Sequence, residues 1–396
     1  MGCSTALLLA RRGMRVTLFD AAPRVMHGAS RWNEGKIHLG YLYAADPSLA
    51  TARRLLPGGL AFRRIVEDLL GESIAPAISD DDEIYLTHRD SVCAATATAC
   101  YLGRVSALVA AHPEVAGALA PDAGRPPAPL ARAELETLAD PERIVAGVRV
   151  AERSVSTAWL ADRIEAAVLA MPGIDLRLGV HVQGVRPDPR GERLALDTSA
   201  GADGPYETVV NALWHGRAAV DATMGLPAPV EISHRYRVSL FARLARPIDL
   251  PSVVVGTGPF GDVKRYGPHD AYFSWYSAGL LAEGGAIAPP STPRVTPADA
   301  DAIGQAILEH LGHVLPPVRA AAAAIASSTV QGGWVYAAGA GQLSDPASTL
   351  HRRDRVGMVC SGRYLSVDTG KYSIAPWLAE QVATQLMRTR PRSMAH

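Results

Sequence analysis

The chain begins MGCSTALLLARRGMRVTLFD, and this stretch constrains the fold more than any other. Ser4 to Arg12 is rich in strong helix formers, and Gly13 stands where a left-handed C-cap closes such a helix. The run MRVTLFD alternates and branches like a buried strand and ends on Asp20, eighteen positions beyond Gly2. In a dinucleotide-binding βαβ unit, an acidic residue about 20 positions after the glycine turn bonds a ribose hydroxyl, and the glycines admit a pyrophosphate to the helix N-terminus. Gly2 then reads as the third glycine of G-x-G-x-x-G, the one that allows close helix–strand packing. The first strand and the first two glycines are expected upstream of Met1, so the chain reads as N-terminally truncated. Half a motif leaves two readings open, nucleotide binding and an ordinary βαβ fragment.

Length and charge narrow the classes. The 396 residues, 48% hydrophobic and 20% charged, suffice for two domains with real cores. Lys plus Arg equals Asp plus Glu at 39 each, so no net field draws nucleic acid, and none is expected as a partner. Cys3, Cys93, Cys100 and Cys360 are scattered without metal-ligand spacing. They read as buried thiols of a reducing compartment, with no metal site. CSTALLLA is too short for a membrane span and lacks the marks of a signal peptide, so the cytoplasm is the expected location.

Helical periodicity marks LATARRLLPGGLAFRRIVEDLLG, STAWLADRIEAAVLAM, DADAIGQAILEHLGHVL and APWLAEQVATQLMRT. Strand-like runs include DEIYLTH, RIVAGVRVAE, IDLRLGVHVQGVR, LALDTS, ETVVNAL, RYRVSLFARL, SVVVG, AYFSWY and RVGMVCSG. The Pro-rich stretches PDAGRPPAPLARAE and GGAIAPPSTPRVTPAD read as connections. No Ser-His-Asp or H-x-x-x-H constellation is present.

Five blocks, taken in order, carry a family resemblance. They are GCSTALLLARRGMRVTLFD, GASRWNEGKIHLG, VSTAWLADRIEAAV with GIDLRLGVHVQGVR, ETVVNALWHGRA, and VGMVCSGRYLSVDTGKYSIAPWLAEQVATQL. Their order and spacing resemble FAD-dependent oxidoreductases of the D-amino-acid-oxidase and glycine-oxidase type. The resemblance implies an α/β fold, with a Rossmann-like FAD-binding domain and an interleaved α+β substrate domain on a mostly antiparallel sheet. It places the FAD-binding domain at 1–75, 150–225 and 326–396, and the substrate domain at 76–149 and 226–325. It implies oxidation of a C–N bond of a small amine or amino-acid-like molecule. A dehydrogenase or tailoring enzyme acting on CH–OH, and a silent FAD-fold scaffold, stay open beside it.

The same resemblance assigns residues. Gly2 and Asp20 belong to the dinucleotide turn, and the Val182 backbone meets the adenine. Ser30, Arg31, Asn33, Gly35 and Lys36 contact the cofactor, with His38 and Tyr41 following toward the ring or substrate. The turn Asn211-Ala212-Leu213-Trp214 lacks the glycine that relatives carry, so close backbone contact at Ala212 and Trp214 is open. Gly362, Gly370, Lys371, Tyr372, Ser373 and Ile374 lie at the last block, where a helix start faces the flavin pyrimidine. A helix end and a cation there stabilise the negative charge of a reduced ring. Arg235, Arg237, Tyr272 and Tyr276 are pocket candidates on strands, of which about half face away. Lys371, His38 and Tyr276 are the catalytic candidates. Relatives that bind FAD covalently use a His near Trp32 and Asn33 or a Cys near GGWVYAAGAG; neither is present, so noncovalent FAD is implied. QGGWVYAAGAGQLSD also lacks the arginine that holds a substrate carboxylate in such oxidases.

Overall fold

The computed structural model describes residues 1–389. Residues 390–396, placed by the sequence in the first domain, lie outside the described residues. In chain order the elements begin α1 (Gly2–Arg11), β1 (Val16–Asp20), α2 (Ala50–Leu70), β2 (Ile84–His88), α3 (Ala95–Ala110), β3 (Ala128–Pro129), α4 (Arg132–Leu138), β4 (Ile144–Arg149) and α5 (Thr157–Ala170). Then follow β5 (Ile174–Leu178), β6 (Val182–Pro187), β7 (Leu194–Thr198), β8 (Gly201–Tyr206), β9 (Val209–Asn211), α6 (Arg217–Thr223), β10 (Ser233–Leu244), β11 (Val253–Gly256), β12 (Gly261–Arg265) and β13 (Asp270–Trp275). The chain closes with α7 (Tyr276–Gly279), β14 (Leu280–Gly284), α8 (Pro297–Val314), α9 (Pro317–Ala323), β15 (Ile325–Ala337), β16 (Gly357–Ser361), β17 (Tyr364–Asp368) and α10 (Ala375–Thr389).

The opening helix and strand form as the sequence predicts. Gly13 closes α1 at φ 77°, and its N–H reaches the carbonyl of Ala10 at 2.9 Å. β1 pairs in parallel with β5 from Val16↔Ile174 to Asp20↔Leu178. A second parallel pair joins β17 to β9, and β16 adds antiparallel to β17. The largest sheet runs β14-β10-β13-β12-β11-β2-β4-β3, with β15 also on β10, and it is antiparallel except for the β11·β2 pair.

Two main cores follow from this division. In one, Leu7, Leu55, Ile65, Ile374, Leu378 and Val382 bring together α1, α2, the Lys371 loop and α10; the α3 residues Tyr101, Leu102 and Val105 join it. In the other, Val238, Leu240, Val263 and Phe273 of the large sheet pack against Ile307 and Leu311 of α8. Within α2, Gly58 and Gly59 interrupt a strong helical pattern at a cost of about 1 kcal/mol each. A Cβ on Gly58 would meet Ile374 at 2.6 Å, and one on Gly59 the His38 carbonyl at 2.5 Å. The glycines let the site segments lie directly on the helix.

Several elements escape the sequence patterns. The stretch PDAGRPPAPLARAE, read as a connection, contains β3 and the start of α4. β12, β14 and the thirteen-residue β15 form where no strand is predicted. β15 carries Gly332 and Gly333, weak strand formers, but pairs with β10 from Ser233↔Ala337 to Leu244↔Ile325, and pairing at that length overrides propensity. The thiols also differ from expectation: all four are free, Cys3 is buried, Cys93 is partly buried, and Cys100 and Cys360 are exposed. Cys100 lies on the outer side of α3 and Cys360 on the hairpin β16–β17, positions that spacing alone does not reveal. No helix is long and apolar enough to cross a membrane among the described residues.

Candidate functional site

One cleft of about 1820 Å³ dominates the molecule. One end lies between α1, β1 and β6, where Gly2, Asp20 and Val182 line it. The other end lies between the Trp32–His38 segment, residues 331–335 of β15, and Thr369–Tyr372. β1 forms one wall and β9 another, each through an edge without a ladder partner among the described residues.

At the first end, Asp20 closes β1 with its carboxylate on the cleft. It accepts the Ala22 N–H at 2.9 Å. Burial raises its pKa, against the opposing Ala22 N–H and the His27 charge. Gly2 lines the cleft as expected, but not for the reason expected: a Cβ there would meet Leu18 and Ala212 at 3.7 and 3.8 Å, ordinary contact distances.

The other end is built on the segment after β1. Asn33 accepts the Gly35 N–H at 2.8 Å and donates to the Ala29 carbonyl at 2.7 Å, which folds the loop on itself. Gly35 has φ 63° and a Cβ there would lie 1.8 Å from the Val155 carbonyl oxygen, so only glycine fits. The fold thereby presents Glu34, Lys36 and His38 to the cleft. His38 is 1% exposed, its Nε2 lies 3.8 Å from Glu34, and its Nδ1 has no partner. Burial, reinforced by Lys371, pushes its pKa down to about 3, so the ring is neutral at pH 7. Glu34 stays ionised: burial opposes this, and the His38 contact and the Lys371 charge outweigh burial. Lys371 follows the Asp368 turn, with Nζ 5.9 Å from the Tyr43 ring centre. Burial brings its pKa down to about 8; Glu34 pulls the other way, while Arg353, Arg235 and Lys36 push further down.

Aromatic side chains close this end. Trp32 packs edge-on against Phe241 at 5.0 Å, and Tyr236 against Trp334 at 5.2 Å. Trp214 takes φ 54°, the left-handed conformation that glycine ordinarily supplies, and its indole donates to the Trp334 carbonyl at 2.7 Å. The missing glycine therefore does not remove the turn, and Ala212 and Trp214 both line the cleft.

Of the sequence candidates, Ser30, Asn33, Lys36, His38, Ala212, Trp214, Gly370, Lys371 and Tyr372 line the cleft together with Gly2, Asp20 and Val182. Ten others are not among its lining residues. Arg31 is 6% exposed and pairs with Asp162 of α5 at 2.7 Å. Gly35 packs on Val155. Gly362 is the open turn of the β16–β17 hairpin. Ser373 and Ile374 are fully buried, Ile374 against Gly58. Tyr276, half-buried, is engaged by Arg235, whose Nη1 donates to its hydroxyl at 3.0 Å, and by the Arg237 guanidinium 4.4 Å over its ring. Strand parity explains this last case: Tyr236, between the two arginines, turns to the cleft, and they do not. Tyr272 is likewise tied inward by Ser239 at 3.0 Å, and Tyr41 is 1% exposed in the first core. Glu34, Trp32, Tyr236, Gln331 and Trp334 are additional lining residues. Glu34 lies inside the polar segment GASRWNEGKIHLG, and nothing in its spacing sets it apart.

The donor set suits a dinucleotide flavin. The cleft joins a strand-end carboxylate and the first turn of α1 at one end to paired aromatic walls, a neutral imidazole with an unpartnered buried nitrogen, and a cation at the other.

The comparisons agree. The family model described as FAD dependent oxidoreductase (DAO) matches residues 1–351. Glycine oxidase from Geobacillus kaustophilus superposes with a TM-score of 0.65 at 18% identity, over 99% of this chain and 93% of that one. Iminodiacetate oxidase from Chelativorans sp. gives 0.65 at 16% identity, over 99% and 94%. L-α-glycerophosphate oxidase from Mycoplasma pneumoniae, solved with FAD bound, gives 0.63 at 11% identity, over 98% and 92%. At these identities the likeness is one of fold. No curated protein sequence matches the chain.

Proposed function

The chain belongs to the DAO family of FAD-dependent oxidoreductases, and from that premise we propose that it oxidises a C–N bond of a small amine or amino acid. The observation that carries the reading is the single cleft linking Asp20 and Val182 to Glu34, His38 and Lys371. Glycine, iminodiacetate and L-proline are the substrates named for structural neighbours and are the first to try.

FAD, when bound, supplies the two-electron acceptor. The residues divide the remaining work. Asp20 would hold a ribose hydroxyl and Val182 the adenine, while Ser30, Asn33 and Lys36 would contact the cofactor from the loop after β1. Trp32, Tyr236 and Trp334 exclude water from the reacting end, which strengthens every charge interaction there. Lys371 places a cation beside the end where negative charge develops, and the helix start at Ala375 adds its dipole. His38, neutral at pH 7, orients by hydrogen bonding rather than by charge. Tyr276 positions Arg235 and Arg237. Cys3 is the one thiol among the cleft-lining residues and is buried with its pKa raised to about 11, which suits noncovalent FAD. The domain division we adopt keeps 1–75, 150–225 and 326–396 for FAD and 76–149 and 226–325 for substrate, and the cores cut across it: α3 packs in the first core, and β15 pairs with β10 of the large sheet.

The test is the visible spectrum of the purified protein, followed by anaerobic addition of glycine, L-proline, iminodiacetate and a 2-hydroxy acid. Bound flavin bleached by an amine, and released by acid precipitation, supports the reading. Bleaching by the hydroxy acid alone overturns it.

A further inference from the structure

Beneath the reacting end a chain of buried polar groups leads away from the cleft. Lys36 lines the cleft yet is 3% exposed. Its Nζ donates to the Tyr85 hydroxyl at 3.3 Å, and that hydroxyl donates to a Glu152 carboxylate oxygen at 2.6 Å. The other Glu152 oxygen accepts the Leu39 N–H at 2.6 Å. A branch leaves Lys36 toward Glu83 at 3.7 Å; Glu83 pairs with Lys264 and accepts the Ser154 hydroxyl at 2.7 Å. Lys264 lies 3.9 Å from Asp262.

The charges in this cluster do not balance. Glu83, Glu152 and Asp262 face two ammonium groups, Lys36 and Lys264, so with every group ionised one negative charge is left over within the cluster; at its edge Arg237 and Glu34 act on Asp262 with opposite signs, and burial raises the Asp262 pKa to about 6. A buried excess charge is costly, and the least costly remedy is one more proton. Burial raises the pKa of Glu152, with Glu83 adding to it, against Lys36, the Tyr85 hydroxyl and the Leu39 N–H. Burial lowers that of Lys36, which makes Lys36 ready to pass a proton on. His38 and Lys371 feel Lys36 from the cleft side, and Tyr41, Tyr43 and Tyr101 stand around Tyr85 and Glu152.

An amine substrate arrives at neutral pH as an ammonium ion, and its nitrogen lone pair must be free before the adjacent C–H can be lost as hydride. Resting on the amine reading above, we propose that Lys36, Tyr85 and Glu152 form a proton relay that takes the substrate's ammonium proton out of the cleft and stores it on Glu152. The Tyr85 O–H proton passes to the Glu152 carboxylate as the Lys36 ammonium gives a proton to the Tyr85 oxygen, which leaves Lys36 as a neutral amine. That amine takes the substrate's ammonium proton: the substrate N–H bond breaks as an N–H bond forms at Lys36 Nζ. No electrons change hands, Lys36 and Tyr85 end as they began, and the cluster becomes neutral. Tyr85 and Glu152 touch no substrate; they act through Lys36.

The experiment uses the flavin-loaded protein with Tyr85→Phe and Glu152→Gln, both close to isosteric. Flavin bleaching by whichever of glycine, L-proline or iminodiacetate reduces the wild type is followed at pH 7 and at a pH where the free amine predominates. The expected result is a slowing of about tenfold or more at pH 7 that disappears at high pH, where the substrate brings no proton to remove. Infrared titration, with no substrate present, is expected to show buried carboxylic acid absorption titrating above the usual carboxylate range, part of it from Asp262, and to lose the Glu152 part in Glu152→Gln. An equal deficit at every pH, no deficit at all, or an unchanged infrared band overturns the relay while the amine reading stands. A wild type bleached by no amine overturns the reading, and the relay with it.

Discussion

The two ends of the cleft are built in opposite ways. The Asp20 end comes from neighbours in sequence: α1, β1 and the turn between them place Gly2, Gly13 and Asp20 within one βαβ half-unit. The Lys371 end gathers the 32–38 loop, β10, β15 and the segment after β17, held by contacts such as Gly59 on His38 and Gly35 on Val155. The lesson is that one end of a cleft can be written locally while the other depends on segments more than 300 residues apart, as Lys36 and Lys371 are.

The strongest way to break this comparison is at Gly35. Its substitution by Ala forces a left-handed Cβ onto the Val155 carbonyl and is expected to cost about 3 kcal/mol. Thermal unfolding of Gly35→Ala checks this; a melting temperature equal to the wild type's would mean that the reacting end does not depend on that contact.

Asp20→Asn probes the local end. Charge-assisted hydrogen bonds to a ribose are worth about 1.5–3 kcal/mol, so FAD affinity is expected to fall roughly 10- to 100-fold. Stability without FAD should move the other way. The folded state raises the Asp20 pKa, so its contribution to stability is present at acid pH and lost as pH rises through the folded value. Removing the charge therefore leaves the flavin-free protein as stable or more stable at pH 7. Equilibrium dialysis with FAD and a melting curve of the flavin-free form decide it; lower stability with unchanged affinity would make Asp20 a structural residue.

Lys371→Met tests the assembled end and is expected to have the smallest effect, a several-fold slowing of flavin reduction and a lower reduction potential. The folded pKa of about 8 lies below the ordinary value of about 10.4, so the folded state disfavours the charge. Wild-type stability should rise with pH between about 8 and 10, and the rate contribution of Lys371 should fade over the start of that range. In Lys371→Met both dependences disappear. Potentiometry and stopped-flow reduction at pH 7 and 9 check this, and an unchanged potential would assign the stabilisation to the helix start alone.

Reading the sequence brought out most of what is periodic or ordered along the chain. α1, β1, α2, α5, α8 and α10 follow from residue spacing, and the order of five blocks points to the flavin fold and to Asp20, Val182, Lys36, His38 and Lys371. It overreached where a residue's neighbour in sequence is not its neighbour in space. Arg31 turns to Asp162, Ile374 to Gly58, and Arg235 and Arg237 to Tyr276, because side chains one position apart on a loop or strand leave in different directions.

By itself the sequence determined the fold class, the α1–β1 unit that ends on Asp20 and the polar character of the loop after β1, since each rests on local propensity and on periodicity within a single element. Only the tertiary structure decided which polar residues meet. The pairing of β10 with β15 sets which of Tyr236 and Arg237 sees the cleft, and the packing of β2, β4 and β12 brings Tyr85, Glu152 and Lys264 to Lys36. A one-residue slip in any of these registers would turn each side chain to the opposite face.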